Sequence, residues 1–193
     1  MPEALRIARS EFILGGQKSG KSRRAEMLAQ QWLGLSANHR AVLIATAQPW
    51  DEEMRARITR HQADRAQRVP GMQTIEEPLA LAQALAAHSQ PEVLLVVDCL
   101  TLWLTNYVMP MHSRADAVPD VDRLVSALAA SIESAPGPVV VVGNEIGLGV
   151  VPMGAEVRAF VDALGRLNQR IAQVCARVTF MAAGLPLTLK AAP

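Results

Sequence analysis

Phe12-Ile13-Leu14-Gly15-Gly16-Gln17-Lys18-Ser19-Gly20-Lys21-Ser22 is a short apolar run followed by eight residues that fill every position of G-x-x-x-x-G-K-[ST]. Such a turn bends successive backbone N–H groups around phosphate oxygens, its lysine reaches the β and γ phosphates, and its last hydroxyl ligates magnesium. Gly15, Gly16, Gln17, Lys18, Ser19, Gly20, Lys21 and Ser22 are therefore expected to hold a nucleoside triphosphate, with Lys21 catalytic and Ser22 on Mg2+. The residues from Ser22 to Ala29 read as the opening of a helix, so strand, loop and helix follow in the order that aims a helix N-terminus at an anion.

Outward from this stretch, apolar runs recur at residues 41–47 (AVLIATA), 93–98 (VLLVVD), 139–143 (VVVVG) and 178–183 (VTFMAA). They have the continuous β-branched character of strands buried on both faces. Helical patterns lie between them, at residues 21–33, 51–67, 78–88, 119–134 and 155–176. The alternation predicts an α/β fold with a mainly parallel central sheet flanked by helices. In the last helix Val157, Phe160, Val161, Leu164, Leu167, Ile171, Val174 and Cys175 follow the 3.6-residue period and line one face. Leu187 to Lys190 is expected as a short C-terminal edge strand, where the nearby Pro186 is tolerated. Met109 to Pro119 reads as a loop, residues 1–10 as a flexible leader, and residues 11–193 as one domain.

Bulk properties narrow the functional classes. With 193 residues, half of them hydrophobic, the chain is long enough for one core and short for two. A net charge of +1 with dispersed arginines offers no single-signed surface for nucleic acid. Cys99 and Cys175 sit in apolar runs, as buried thiols of a reducing compartment do. No apolar run reaches the length of a membrane span, and a cytoplasmic enzyme acting on small molecules, without membrane insertion, is the expectation.

Three further constellations carry chemistry. Asp98 ends the 93–98 run, where a carboxylate would help position Mg2+, although an aspartate there also suits a helix cap next to Thr101 and Thr105. Thr46 and Glu76 are weaker polar candidates on the same carboxyl edge of the sheet. The helix near Asp51 opens with Asp51, Glu52 and Glu53, and then Met54, Ile58, His61 and Arg65 form one stripe, with Arg57 and Arg65 four residues either side of His61. Two guanidinium groups favour an uncharged imidazole and supply donors for phosphate oxygens, as a nucleophilic histidine needs; a solvated surface histidine has the same spacing. Gly143 to Pro152 (GNEIGLGVVP) follows the VVVVG run and suits either a loop pressed on a ligand or a tight connection.

These segments together resemble the bifunctional adenosylcobinamide kinase/adenosylcobinamide-phosphate guanylyltransferase family of cobalamin biosynthesis. The resemblance runs from Phe12 to Lys190 through GGQKSGKS, IATAQPWDEEMRARITRHQADR at 44–65, VVDCLTLWLTN at 96–106, NEIGLGVVP at 144–152, GRLNQRIA at 165–172 and AGLPLTLK at 183–190. It implies a P-loop NTPase fold, phosphorylation of adenosylcobinamide by ATP or GTP, and transfer of GMP from GTP to adenosylcobinamide phosphate through a GMP-histidine on His61. It also implies nucleotide contacts from Ala45, Thr46, Ala47, Gln62, Ala63, Asp64, Arg65, Glu76 and Asp98, and a homo-oligomer, a trimer in the family. Lys18 stands where an arginine is common in the family. A single-activity kinase without a covalent intermediate, or a regulatory nucleotide-binding module, are the alternatives.

Overall fold

In the computed structural model, which describes residues 5–109 and 120–191, strand and helix alternate along the chain. They are β1 (Ser10–Gly15), α1 (Lys21–Leu35), β2 (Arg40–Ala45), α2 (Glu52–Arg68), β3 (Gln73–Glu76), α3 (Leu81–His88), β4 (Val93–Asp98), α4 (Leu100–Val108), α5 (Val121–Ser134), β5 (Val139–Val142), α6 (Ala155–Val174), β6 (Arg177–Ala182) and β7 (Leu185–Lys190). The strands form one seven-stranded sheet in the order β3-β2-β4-β5-β1-β6-β7. All neighbouring pairs are parallel except β6 with β7. The expected α/β architecture, mainly parallel with a C-terminal edge strand, is what forms.

Side-chain alternation along the strands divides the core into two layers. Phe12, Leu14, Ile44, Leu95 and Val141 pack with α3, α4, α5 and α6 on one face. Ile13, Leu43, Val96 and Val140 pack with Ala25, Leu28 and Ala29 of α1 on the other, joined by Val69 at the end of α2. A fully buried Leu, Ile or Phe side chain contributes about 1.5–3 kcal/mol, so a one-residue slip of β1 would forfeit several such terms at once. This fixes the register Phe12↔Val141 and Phe12↔Val178, and with it the point where β1 releases the loop at Gly15.

The structure departs from the sequence reading in two elements. Gln73–Glu76 is a strand at the sheet edge, so Glu76 ends β3 rather than lying in a turn. Its QTIE sequence is polar because three of its four residues face solvent. Leu100–Val108 is a helix that the sequence reading did not mark, although Leu100, Trp103 and Leu104 carry the i, i+3, i+4 signature and are buried. β7 starts at Leu185 and accommodates Pro186 on its edge.

Of the stretch read as a leader, Leu5 accepts a hydrogen bond from Gln31 Nε2 at 2.8 Å, Arg6 accepts one from Arg177 at 2.9 Å, and Arg9 accepts one from Val139 N at 3.0 Å. Of the loop expected over 109–119, Met109 caps α4 and residues 110–119 lie outside the described residues.

Candidate active site

The loop between β1 and α1 is shaped by backbone geometry that few residue types tolerate. Gly15 has φ 152° and Gly20 φ 101°. A Cβ on Gly15 would lie 2.4 Å from the Met181 carbonyl oxygen, and one on Gly20 would lie 3.2 Å from Gly184 Cα. The β6–β7 turn, Ala183 at φ 51° and Gly184 at φ 79°, is thus pressed against the loop, and Gly184 N donates to Ser19 O at 3.0 Å. The AGLPLTLK segment supports the phosphate turn from behind. Lys18 holds a left-handed φ of 56° without being glycine.

Gly20 is the N-cap of α1, no side chain caps that end, and its first turn carries no acid. The leading amides of α1 therefore remain available to an anion, with the helix dipole favouring negative charge there. Lys21, the first residue of α1, is buried and donates from Nζ to Gly16 O at 2.5 Å and to Ser19 Oγ at 3.5 Å. Burial lowers the Lys21 ammonium below its ordinary pKa; Cys99 and Asp98 pull it back, and the Arg57 guanidinium lowers it further. Ser22 Oγ donates to Asp98 Oδ2 at 3.2 Å. The cap of α4 is Cys99, with no side-chain bond, so Asp98 is free of the helix-capping role and faces the loop.

Beneath this pair, Glu11 on β1 is buried and accepts from Arg24 Nε at 2.7 Å and from Thr179 Oγ1 at 2.8 Å, with Arg177 Nη1 3.9 Å away. The cluster joins β1, β6 and α1, with Glu11 near the start of β1. Its signal in the sequence is faint, an acid directly before the apolar Phe12-Ile13-Leu14 run of a buried strand.

On the other side stands α2, whose Asp51 N-cap accepts from Met54 N at 2.6 Å. Arg65 is the buried residue of this helix. It lines a small pocket with Ser22, Glu26, Met72 and Asp98. Burial lowers the Arg65 guanidinium below its usual pKa, while Asp98 and Glu26 oppose the shift. One turn back along the stripe His61 is exposed, and a further turn back is Arg57, whose charge acts on Lys21. Arg65 thus shares a pocket with the Ser22–Asp98 pair and the Arg57 charge is felt at Lys21, while His61 stands between them on the same stripe of α2. Glu26, which the sequence reading missed, is buried on α1 and accepts from Arg68 Nη1 at 3.2 Å, tying the root of α2 to α1. Its place beside Ala25 and Leu28 on the packed face of α1 was the available signal.

The remaining sequence-predicted residues fall into two groups. Ala45, Thr46, Ala47, Glu76 and Asp98 share the carboxyl edge of β2, β3 and β4. Thr46 is fully buried; its hydroxyl donates to Cys99 O at 2.7 Å and accepts from Cys99 N at 2.9 Å. On α2, Gln62 Nε2 lies 3.5 Å from Glu76 Oε1, Asp64 pairs with Arg68 at 3.5 Å, and Ala63 is exposed. Cys99 and Cys175 are free and buried, and burial pushes their thiols up to about 11 and about 12.

At the tip of β5, Gly143 N donates to Ile13 O at 3.0 Å and Glu145 N to Gly15 O at 3.2 Å, so the Gly143–Pro152 loop abuts the phosphate turn. Asn144 N donates to Thr101 Oγ1 at 2.9 Å. Among the described residues there is no group of three His, Cys, Asp or Glu side chains able to hold a metal ion. The Ser22 hydroxyl and Asp98 carboxylate fit a Mg2+ brought by phosphates, since this ion is held by one or two protein oxygens plus substrate rather than by a protein cage.

A parallel sheet whose first strand feeds a glycine turn into an uncapped helix, with an acid two strands away at Asp98, defines a P-loop nucleotide-binding protein. Over residues 11–189 the sequence matches the family described as cobinamide kinase / cobinamide phosphate guanyltransferase, and the chain belongs to it. It is 46% identical over 183 residues to the bifunctional adenosylcobalamin biosynthesis protein CobP of Pseudomonas aeruginosa, covering 95% of this chain and 98% of that one. It is 30% identical to the bifunctional adenosylcobalamin biosynthesis protein CobU of Escherichia coli over 93% of this chain and 98% of its relative.

Proposed function

We propose that the chain phosphorylates adenosylcobinamide with ATP or GTP and then transfers GMP from GTP to the resulting phosphate, by way of a GMP-His61 intermediate. The observation that carries the covalent step is the α2 stripe: the Arg57 charge acts on Lys21, Arg65 lines a pocket with Ser22 and Asp98, and His61 is midway between Arg57 and Arg65 along the helix. Family membership carries the choice of substrates.

In phosphoryl transfer the acceptor hydroxyl attacks the γ phosphorus, and the bond from that phosphorus to the bridging oxygen breaks, its electron pair staying on the nucleoside diphosphate. Lys21 and the α1 amides offset the charge on the phosphates. In guanylyl transfer a His61 ring nitrogen attacks the α phosphorus and pyrophosphate leaves; the acceptor phosphate then attacks the same phosphorus, and the P–N bond breaks. Dividing the reaction keeps two anionic substrates from meeting in one step. Arg57 and Arg65 donate to the phosphoryl oxygens as charge develops. Ser22 and Asp98 would hold Mg2+, which when bound neutralises charge on the phosphate oxygens. Gln62, Ala63, Asp64, Glu76 and the Ala45–Ala47 edge complete the nucleotide site in this reading.

No helix among the described residues is long and apolar enough to cross a membrane, and the reading has the enzyme in the cytoplasm. It includes a homo-oligomer, a trimer by family resemblance, which outward Leu185, Leu187 and Leu189 on β7 would favour; sedimentation equilibrium decides it. The covalent step is tested with GTP labelled at the α phosphate. The expected result is a protein-bound label that acid releases and alkali does not; label only in free nucleotide would leave a kinase without a covalent intermediate.

A further inference from the structure

The Gly143–Pro152 loop has no part in gripping the nucleotide in the reading above, yet it lies against the phosphate turn and is built with care. β5 separates β4, with Asp98, from β1, with the loop, so its tip lies between the Ser22–Asp98 pair and Gly15. Glu145 stands there, half-buried, with both carboxylate oxygens oriented: Oε1 accepts from Gly147 N at 2.8 Å and Oε2 from Asn168 Nδ2 at 3.4 Å. Asn168 is 5% exposed and also donates from Nδ2 to Asn144 O at 3.1 Å. Both of its neighbours are acceptors, which fixes the amide orientation and turns Oδ1 toward Gly143, where it has no partner among the described residues. A Cβ on Gly143 would come within 2.9 Å of the Phe12 ring and 3.6 Å of that oxygen, so the glycine keeps the support in place.

Immediately beyond the carboxylate the chain turns apolar and outward. Leu148 is 78%, Val150 96% and Met153 96% exposed, with Ile146 and Val151 beside them. A concentration of exposed apolar side chains in one loop marks a surface that something covers. Its continuity with Glu145 and the phosphate turn selects the occupant: the second substrate of the kinase, whose hydroxyl must reach the γ phosphate.

We infer that Asn144–Met153 is the acceptor subsite: its apolar residues seat the corrin macrocycle, and Glu145, held by Asn168 and Gly147, takes the proton from the acceptor hydroxyl. As the new O–P bond forms and the bond from γ phosphorus to the bridging oxygen breaks, the O–H electron pair stays on oxygen, the proton passes to Glu145, and solvent later removes it. The inference rests on the phosphoryl-transfer reading, and its test separates the two.

The full chain is assayed with adenosylcobinamide and ATP, and in parallel for the GMP-protein label from GTP, which needs no acceptor. In Glu145→Gln the kinase kcat should fall about 100-fold while the nucleotide KM holds within about twofold and the GMP label persists. Glu145→Asp, which keeps two acceptor oxygens, should recover part of that loss. Leu148→Asp with Val150→Asp should raise the acceptor KM roughly tenfold or more without moving the nucleotide KM. Glu145→Gln with undiminished kcat, or equal losses in Glu145→Gln and Glu145→Asp, overturns the proton-acceptor role. An unchanged acceptor KM in the double variant, with a shifted sedimentation coefficient, assigns the face to a second copy and overturns the seat. Wild-type protein that phosphorylates no acceptor removes the parent reading and this inference together.

Discussion

The two helices that bracket the phosphate turn are held in opposite ways. α1 is locked to the sheet by its apolar face and by the buried Glu11–Arg24–Thr179 cluster, and the turn before it is braced by the β6–β7 hairpin. α2 has a single buried residue, Arg65, and is anchored near its C-terminal end by Val69 and the Glu26–Arg68 pair. Its N-terminal half, with Arg57 and His61, stands in solvent. In the proposed mechanism the fixed side serves the triphosphate grip, which both reactions share. The lightly held side carries His61, which that mechanism requires for guanylyl transfer alone. Substitutions on α1 should therefore disturb both reactions or the fold, and substitutions on α2 should separate them.

The largest effect is expected from Glu11→Ala, which leaves Arg24 and Arg177 facing a buried gap. Breaking such a pair destabilises by about 3–5 kcal/mol, measurable as a lower urea midpoint. Lys21→Ala should reduce both reactions about 10²–10³-fold with little change in stability; loss of one reaction alone would break the notion of a shared grip. Asp51→Ala removes the α2 cap, worth about 1 kcal/mol. It should speed amide exchange over residues 52–58 and weaken guanylyl transfer more than phosphorylation, with the global unfolding midpoint nearly unmoved. At neutral pH the smallest effect is that of the buried thiols, which show only in alkali. Folding raises Cys99 from 9.0 to about 11, so the folded chain keeps a proton that the unfolded chain releases. Stability is unaffected below pH 9 and declines as pH rises toward 11, and Cys99→Ala should flatten that slope relative to wild type.

Much of this contrast was legible in the chain. The phosphate turn announces itself because each of its residue types answers a geometric demand, as Gly15 does at 2.4 Å from Met181 O. The buried parallel strands show as unbroken apolar runs, and Asp98 stands out because it ends one. Edge strand β3 was invisible since QTIE faces water and has no apolar run to display. α4 was overlooked because Leu100, Trp103 and Leu104 continue the apolar character of β4, and only their spacing marks a helix. Glu11, Glu26 and Asn168 escaped for a common reason: each is a buried polar residue with partners far away in sequence, and those partners are known only once the sheet order is. The α2 stripe sat between these extremes, since its spacing placed Arg57, His61 and Arg65 on one face but left open what that face meets.

The separation of the two reactions in His61→Ala is the most direct test. Measured side by side on one preparation, adenosylcobinamide phosphorylation should stay within a few fold of wild type, while GMP transfer and the GMP-protein label disappear, a loss of at least about 10³-fold. Retention of GMP transfer, or a parallel fall in both reactions, would contradict the account.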